Sequence, residues 1–270
     1  MGFLENFHIQ VLGNGSGPKL VFLHGLMGSG ANWRKVVPAF RKDYHILLLD
    51  QRGHGRSFHP SHGYSPEDYA RDLEKVLDEL CWTEKIYLVG HSMGGRNALS
   101  FAYQFPYRIR CLVIEDIGPD SHPNAVGKIE LYLNSVPTPF ANKGKAKQFF
   151  DEKFPQMVGC DRLLAQYLYT NIEVRENGQA DWRFSRQGIL ASVREGRAYE
   201  RWDQVRGLQV PTLVVRGKQS EELSFEVYQH MMESNSLVSG VQIEQAGHWV
   251  HFDQPQDFID SLQTFFAQVE

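Results

Sequence analysis

The run Tyr87-Leu88-Val89-Gly90-His91-Ser92-Met93-Gly94-Gly95 restricts the fold of this chain more than any other segment. An apolar stretch suited to a buried strand ends abruptly in Gly-His-Ser-Met-Gly, and a helical pattern continues over residues 92–103. A strand that turns directly into a helix brings two backbones together, and glycines at 90 and 94 leave the room that a Cβ would fill. The same turn strains the residue at its tip. That residue is Ser92, whose hydroxyl is held out at the strand end with a helix N-terminus behind it to favour negative charge. The pattern suits a nucleophile. An ordinary glycine-rich turn contains the same residue types, so the choice rests on the remainder of the chain.

Short apolar runs at 8–12, 20–24, 45–50, 86–90, 111–116, 212–217 and 241–245 alternate with helical patterns. Several are nearly continuous in Val, Ile and Leu, as strands covered on both faces should be, which predicts a parallel sheet. The clearest helix start is Ser65-Pro66-Glu67-Asp68, with Ser65 as N-cap, Pro66 at the first helical position and acidic residues in the first turn. It leads into a helix over 69–80, and another helix over 256–267 closes the chain. The alternation predicts the α/β class, a doubly wound and mostly parallel sheet with ligands at the carboxyl ends of its strands. Ser92 is at such an end. Between 118 and 207 the alternation breaks: no convincing buried strand occurs, but amphipathic stretches do, at 145–154, 161–169 and 185–199. We expect a core of residues 1–118 and 208–270 and a mainly helical cap of residues 119–207 above the serine. The Leu and Phe side chains of the cap either pack it onto the core or line an acyl pocket.

A serine hydroxyl needs a base, and the base needs an orienting acid. Of 11 histidines, His248 stands directly after the last strand candidate and before the last helix, again at a carboxyl edge, where the chain returns to Ser92. His251, three residues on, is expected either to support the site from behind or to be structural. Two places offer the acid. Asp116 ends the strand at 111–116, and its short side chain is a rigid orienter. The loop Arg216-Gly217-Lys218-Gln219-Ser220-Glu221-Glu222 has Ser220 where an aspartate would be expected and leaves Glu221 or Glu222 as alternatives. For the developing oxyanion, donors are expected from the Met93 amide and from Leu26, after a turn at Gly25. Met27 and Trp249, beside those groups, are candidate substrate contacts. The loop Asp50-Gln51-Arg52-Gly53-His54-Gly55-Arg56-Ser57 is expected to hold the site without taking part in the chemistry.

His24-Gly25, Asp50-Gln51-Arg52-Gly53-His54-Gly55, Gly90-His91-Ser92-Met93-Gly94-Gly95 and Gly247-His248-Trp249 stand in an order and spacing that resemble the α/β-hydrolase superfamily. More narrowly, Glu115-Asp116-Ile117-Gly118-Pro119, the serine in Gly217-Lys218-Gln219-Ser220 and Gly247-His248-Trp249-Val250-His251 are similar to small bacterial carboxylesterases and their mitochondrial relatives. In those proteins the acid follows the strand counted sixth in the superfamily, and the cap is inserted after it. The resemblance implies Ser92, His248 and Asp116 as the triad, and hydrolysis of carboxylic esters or acyl thioesters of short to medium acyl chain. Arg96 resembles an arginine that binds a substrate carboxylate in a superfamily branch performing an elimination in menaquinone synthesis, which leaves a lyase or a carbon–carbon bond hydrolase as the alternative. A helix-surface arginine is the plainer expectation for Arg96.

Composition excludes other classes. With 28 basic and 32 acidic residues interspersed and a net charge of −4, the chain offers no groove for nucleic acid and no face for an anionic membrane. A small-molecule substrate is expected; the oligomeric state is not legible. Cys81, Cys111 and Cys160 lack any C-x-x-C spacing, and the first residues resemble neither a signal peptide nor a myristoylation signal, so a cytoplasmic location is expected. Histidines 54, 59 and 62, and the set His248, His251 and Asp253, approach ligand spacing without completing a metal signature. Neither a metal nor an organic cofactor is expected.

Overall fold

Alternating burial explains why so many strands read as unbroken apolar runs. In β2 (Lys19–Leu23) every residue is buried, yet Val21 and Leu23 pack on one side of the sheet and Leu20 and Phe22 on the other. Burying each such side chain contributes about 1.5–3 kcal/mol. The computed structural model describes residues 2–121, 125–160 and 162–269; Asp161, the expected start of one amphipathic stretch, lies outside them.

The strands in chain order are β1 (Ile9–Gly13), β2, β3 (His45–Leu49), β4 (Ile86–His91), β5 (Ile109–Glu115), the short β6 (Ile172–Val174) and β7 (Ala180–Trp182), then β8 (Thr212–Gly217) and β9 (Val238–Ile243). Seven form the main sheet in the order β1-β3-β2-β4-β5-β8-β9. All neighbours run parallel except β1, which pairs antiparallel with β3. The sheet is thus mostly parallel, as expected, with one antiparallel edge. The physical reason is position: β1 is a half-exposed edge strand, with no helix needed to cross over it.

Helices α1 (Pro66–Glu79) and α2 (Met93–Gln104) contribute to the apolar cluster on one face of the sheet. The Ser65 hydroxyl accepts from the Asp68 amide at 3.2 Å, the N-cap expected from the sequence, and the Asp68 carboxylate returns the bond by accepting from the Ser65 amide at 3.1 Å. Between β5 and β8 the chain forms α3 (Ala125–Ser135), α4 (Lys143–Glu152), α5 (Phe154–Val158), α6 (Arg162–Thr170), the antiparallel hairpin β6–β7, α7 (Arg186–Gly196) and α8 (Trp202–Arg206). Then follow α9 (Phe225–Ser234), α10 (Val250–Asp253) and α11 (Pro255–Val269), the last on the opposite face of the sheet.

The inserted segment has its own apolar cluster, including Leu133, Phe150, Phe154, Leu168 and Trp182, which Met27 of the main body joins. The hairpin inside it went unforeseen because each strand is only three residues long. Its signal is Asn177-Gly178, with Gly178 at φ 82°. The segment is fastened to the main body by Tyr69 and Ser192, whose hydroxyls lie 2.6 Å apart, and by the Ser185 amide donating to the Gly53 carbonyl at 2.9 Å. No helix among the described residues is long and apolar enough to cross a membrane.

Candidate active site

The turn at the end of β4 forces Ser92 into φ 52°, ψ −116°, a conformation that L-residues rarely adopt. A Cβ on Gly90 would collide with the Gly94 carbonyl, and one on Gly94 with the Leu23 carbonyl. These contacts give the physical reason for both glycines. The Ser92 amide donates to the Glu115 carbonyl at 2.9 Å, which ties the tip of the turn to the neighbouring strand.

Four strand ends converge there. His248 follows β9 and directs Nε2 at Ser92 Oγ, 3.0 Å away, while its Nδ1 lies 2.8 Å from Asp116 Oδ2. Asp116 ends β5, with its side chain 0% exposed and its backbone at φ 52°. Its other oxygen accepts from the Gly217 amide at 3.0 Å, and the Ser220 hydroxyl donates to Oδ2. With both oxygens held, the carboxylate fixes the histidine tautomer: Nδ1–H donates to Asp116, and Nε2 is left to accept from the serine. Glu221 and Glu222 line the adjoining cavity, but Glu222 is paired with Arg197 at 2.9 Å. The main chain of His248 is held too, since His91 Nε2 lies 2.9 Å from its carbonyl. Burial, reinforced by the facing His248 and His251, pushes the His91 pKa well below its ordinary value, so its neutral ring donates to that carbonyl.

Leu26 and Met93 line the same cavity as Ser92, as do Met27 and Trp249. Met93 opens α2, where an amide has no carbonyl within the helix to receive it. The turn at Gly25 differs from expectation: Met27, at φ 58°, bends the chain. Gly25 is needed for contact, because a Cβ there would sit 2.6 Å from His91 Nδ1 and 3.3 Å from Ser92 Cβ. The Gly25 carbonyl accepts from the Gly28 amide at 3.0 Å and from His24 Nδ1 at 2.8 Å. His24 Nε2 in turn accepts from the Gln51 amide at 3.0 Å, and burial lowers the His24 pKa to about 4. The Asp50 side chain accepts from the Gly30 and Arg56 amides at 2.7 and 3.0 Å, so the 50–57 loop supports this turn from behind. The cavity holds about 450 Å³.

The arrangement sets a serine hydroxyl at the tip of a strained turn, on the wall of a cavity, within hydrogen-bond reach of a histidine whose tautomer a buried carboxylate fixes. A sequence profile described as the alpha/beta hydrolase fold matches residues 18–255. The chain belongs to the α/β-hydrolase family. Among members of this family it is 31% identical over 259 residues to an sn-1-specific diacylglycerol lipase of Danio rerio, covering 94% of this chain and 80% of the relative. The lipase of the same name in Mus musculus is 32% identical over 263 residues, with coverages of 94% and 83%. A solved marine microorganism esterase superposes with a TM-score of 0.83 at 28% identity, covering 96% of this chain and 99% of that one.

Within the family framework, Arg96 overturns one expectation. It is 3% exposed rather than on the helix surface, because α2 is covered by the inserted segment at that point. Its Nη1 donates to the Gly196 carbonyl at 3.1 Å and its Nη2 to the Asp120 carbonyl, while Nε lies buried without a partner. Burial, reinforced by Arg197 and Arg201, lowers its pKa to about 9. Neither histidine set singled out for metal spacing converges as a ligand group among the described residues; His91, Glu115 and His251 do, with one ligand atom from each lying within 4.8 Å of the others. His251 Nδ1 is 2.8 and 2.9 Å from the two Glu115 oxygens, and the His251 amide donates to Oε1 at 2.9 Å. Sequence reasoning missed the role of Glu115; the signal was its place beside Asp116 at the same strand end. It also missed Tyr167, on α6 of the inserted segment, whose partner is 141 positions away.

Proposed function

We propose that this enzyme cleaves carboxylic esters of short to medium acyl chain, and acyl thioesters, through an acyl-enzyme formed on Ser92. Ester hydrolysis as such is supported by the family and by its lipase and esterase relatives. The observation that carries the mechanism is the unbroken hydrogen-bonded chain from Asp116 through His248 to Ser92 at the wall of a cavity. His248 takes the serine proton as Oγ attacks the carbonyl, and Asp116 stabilises the imidazolium that forms. The Leu26 and Met93 amides receive the oxyanion. The tetrahedral intermediate collapses as His248 protonates the leaving alcohol or thiol. Water, activated by the same histidine, then releases the acid.

Residues 119–207 act as the cap and residues 1–118 and 208–270 as the catalytic core. Leu26, Met27, Ile129, Leu164 and Trp249 give the cavity an apolar wall, which suits an acyl chain. Its volume of about 450 Å³ suits short to medium chains better than long ones. The free thiols of Cys81 and Cys111 fit a reducing compartment, the cytoplasm. The buried Arg96, with Lys128 and Arg197 on the same wall, supports a second reading in which the substrate carries a carboxylate and the reaction is a lyase or carbon–carbon hydrolase step.

One experiment separates them: a hydrolysis profile over p-nitrophenyl esters and acyl thioesters of rising chain length, with Ser92→Ala on the best substrate. Loss of activity on the order of 10⁴-fold is expected if the triad acts as a unit. Retained activity in Ser92→Ala rejects the serine mechanism, and tight dicarboxylate binding without ester cleavage favours the second reading.

A further inference from the structure

The turn carrying Leu26 is held from two directions. Its Gly25–Leu26 peptide is pinned through the Gly25 carbonyl, which accepts from the Gly28 amide and from His24. In a trans peptide the carbonyl and the following N–H point opposite ways, so pinning that oxygen fixes the direction of the Leu26 amide. The next peptide is pinned from the cap. Tyr167, on α6, donates its hydroxyl to the Leu26 carbonyl at 2.7 Å. Burial raises the Tyr167 pKa above its ordinary value, which keeps that proton in place.

The surroundings fit this contact. A Cβ on Gly28 would stand 2.9 Å from the Tyr167 oxygen, so the glycine leaves room for the hydroxyl as well as for the turn. Met27, next to the accepting carbonyl, is held at φ 58°, a conformation that persists only where neighbours enforce it. The Tyr167 ring lies 5.3 Å from that of Trp249, which follows His248 in sequence. One cap side chain therefore meets both loops that flank Ser92.

We infer that Tyr167 is a positioning residue through which the seated cap aligns the Leu26 amide for the oxyanion, so that catalysis is coupled to cap docking. The inference rests on Leu26 serving as an oxyanion donor. Tyr167 touches neither the attacking oxygen nor the base; it acts through the Leu26–Met27 peptide. With the hydroxyl gone, the Leu26–Met27 peptide is released, and the backbone held at Met27 relaxes through the Leu26 Cα into the adjoining peptide that bears the donor, tilting it away from where charge develops in the transition state. Ground-state binding changes little.

The cap supplies its own control. Tyr69 and Ser192 form a second buried hydroxyl contact between main body and cap, made by α1 and α7 and not by the Leu26 turn. Tyr167→Phe and Tyr69→Phe each remove the hydroxyl that makes the contact and leave the ring. Both are compared with the unmodified enzyme on p-nitrophenyl acetate and p-nitrophenyl butyrate, with thermal unfolding and the rate and extent of fluorophosphonate labelling of Ser92. The expected result is a kcat about 10- to 100-fold lower for Tyr167→Phe on both esters, with KM within about threefold and slow but complete labelling. Tyr69→Phe is expected to keep kcat within about twofold while losing a similar amount of thermal stability. Equal kcat values in the two variants, or an effect of Tyr167→Phe confined to KM, overturn the inference while complete labelling leaves the serine mechanism standing. An unmodified enzyme that fails to label at Ser92 overturns both.

Discussion

Two carboxylate–histidine pairs hang from consecutive residues at the end of β5. Glu115 is the last residue of β5 and Asp116 follows it at φ 52°, and each takes one histidine of His248-Trp249-Val250-His251. The chemistry of the pairs is the same. Their surroundings are not: His248 presents its second nitrogen to Ser92 with 19% of its side chain exposed, whereas His251 is 3% exposed, with the rings of Trp33 and His91 at 4.5 and 5.0 Å. A carboxylate and an imidazole become a proton-transfer device only where a third group and a path to substrate are present. Without them the same pair is a fastener, here for the loop that bears His248.

The comparison makes opposite demands on the two acids. Asp116→Asn keeps the shape but offers His248 an amide, which favours the wrong tautomer, so kcat is expected to fall about 10³- to 10⁴-fold with little change in the unfolding midpoint. Steady-state kinetics beside Glu221→Gln measure this. A crippled Glu221→Gln with a nearly normal Asp116→Asn would reverse the assignment of the acid. Glu115→Ala should do the converse, leaving the His251 amide and ring without their acceptor in a sealed site. Breaking a buried pair in this way costs about 3–5 kcal/mol of stability, read by urea denaturation. The folded enzyme should keep kcat within about tenfold, because Asp116 still holds His248. A collapse of kcat at unchanged stability would make the fastener part of the catalytic apparatus.

Buried histidines without a carboxylate extend the comparison. Desolvation lowers the pKa of His24 to about 4 and, reinforced by the facing His24, that of His54 to about 3, against an ordinary 6.5. The unfolded chain therefore binds protons that the folded chain refuses between those values. Stability is fully present above about pH 6.5 and falls as pH drops toward 4 and then 3, by on the order of 3 kcal/mol from His24 alone. Urea midpoints taken between pH 7 and 4.5 measure the slope. His24→Asn should flatten it; an unchanged slope would mean that other groups carry the acid sensitivity.

Most of the main sheet was legible because its strands are covered on both faces and so read as apolar runs, and because Ser92, His248 and Asp116 each follow one of them. The antiparallel direction of β1 was not legible, since an edge strand carries no mark of which neighbour it joins. The burial of Arg96 was hidden for a similar reason: on α2 alone it belongs to the outer surface, and only the inserted segment folding over it removes it from water. Tyr167 and Glu115 stayed invisible because their roles depend on partners 141 and 136 positions away. Local pattern located the groups at strand ends. It carried no information about which side chains support them.

Ser220 tests how much such support matters. It stands in the loop after β8, where the wider family would place its acid, and it donates its hydroxyl to Asp116 Oδ2, the oxygen that also faces His248 Nδ1. Its own oxygen accepts from the Glu222 amide at 3.1 Å. Ser220→Ala removes one donor from the carboxylate, with two opposed results: a more basic Asp116 grips the imidazolium harder, and a less restrained one holds the imidazole less well. The Gly217 amide still anchors Oδ1 at 3.0 Å, so the carboxylate stays in place but gains freedom at the oxygen that orients the base. The loss of alignment should win, at about the worth of one hydrogen bond to a charged group, roughly tenfold in kcat with KM unchanged. A faster Ser220→Ala enzyme would mean that Asp116 is held by its backbone and Gly217 alone, and that the serine only weakens the acid it touches.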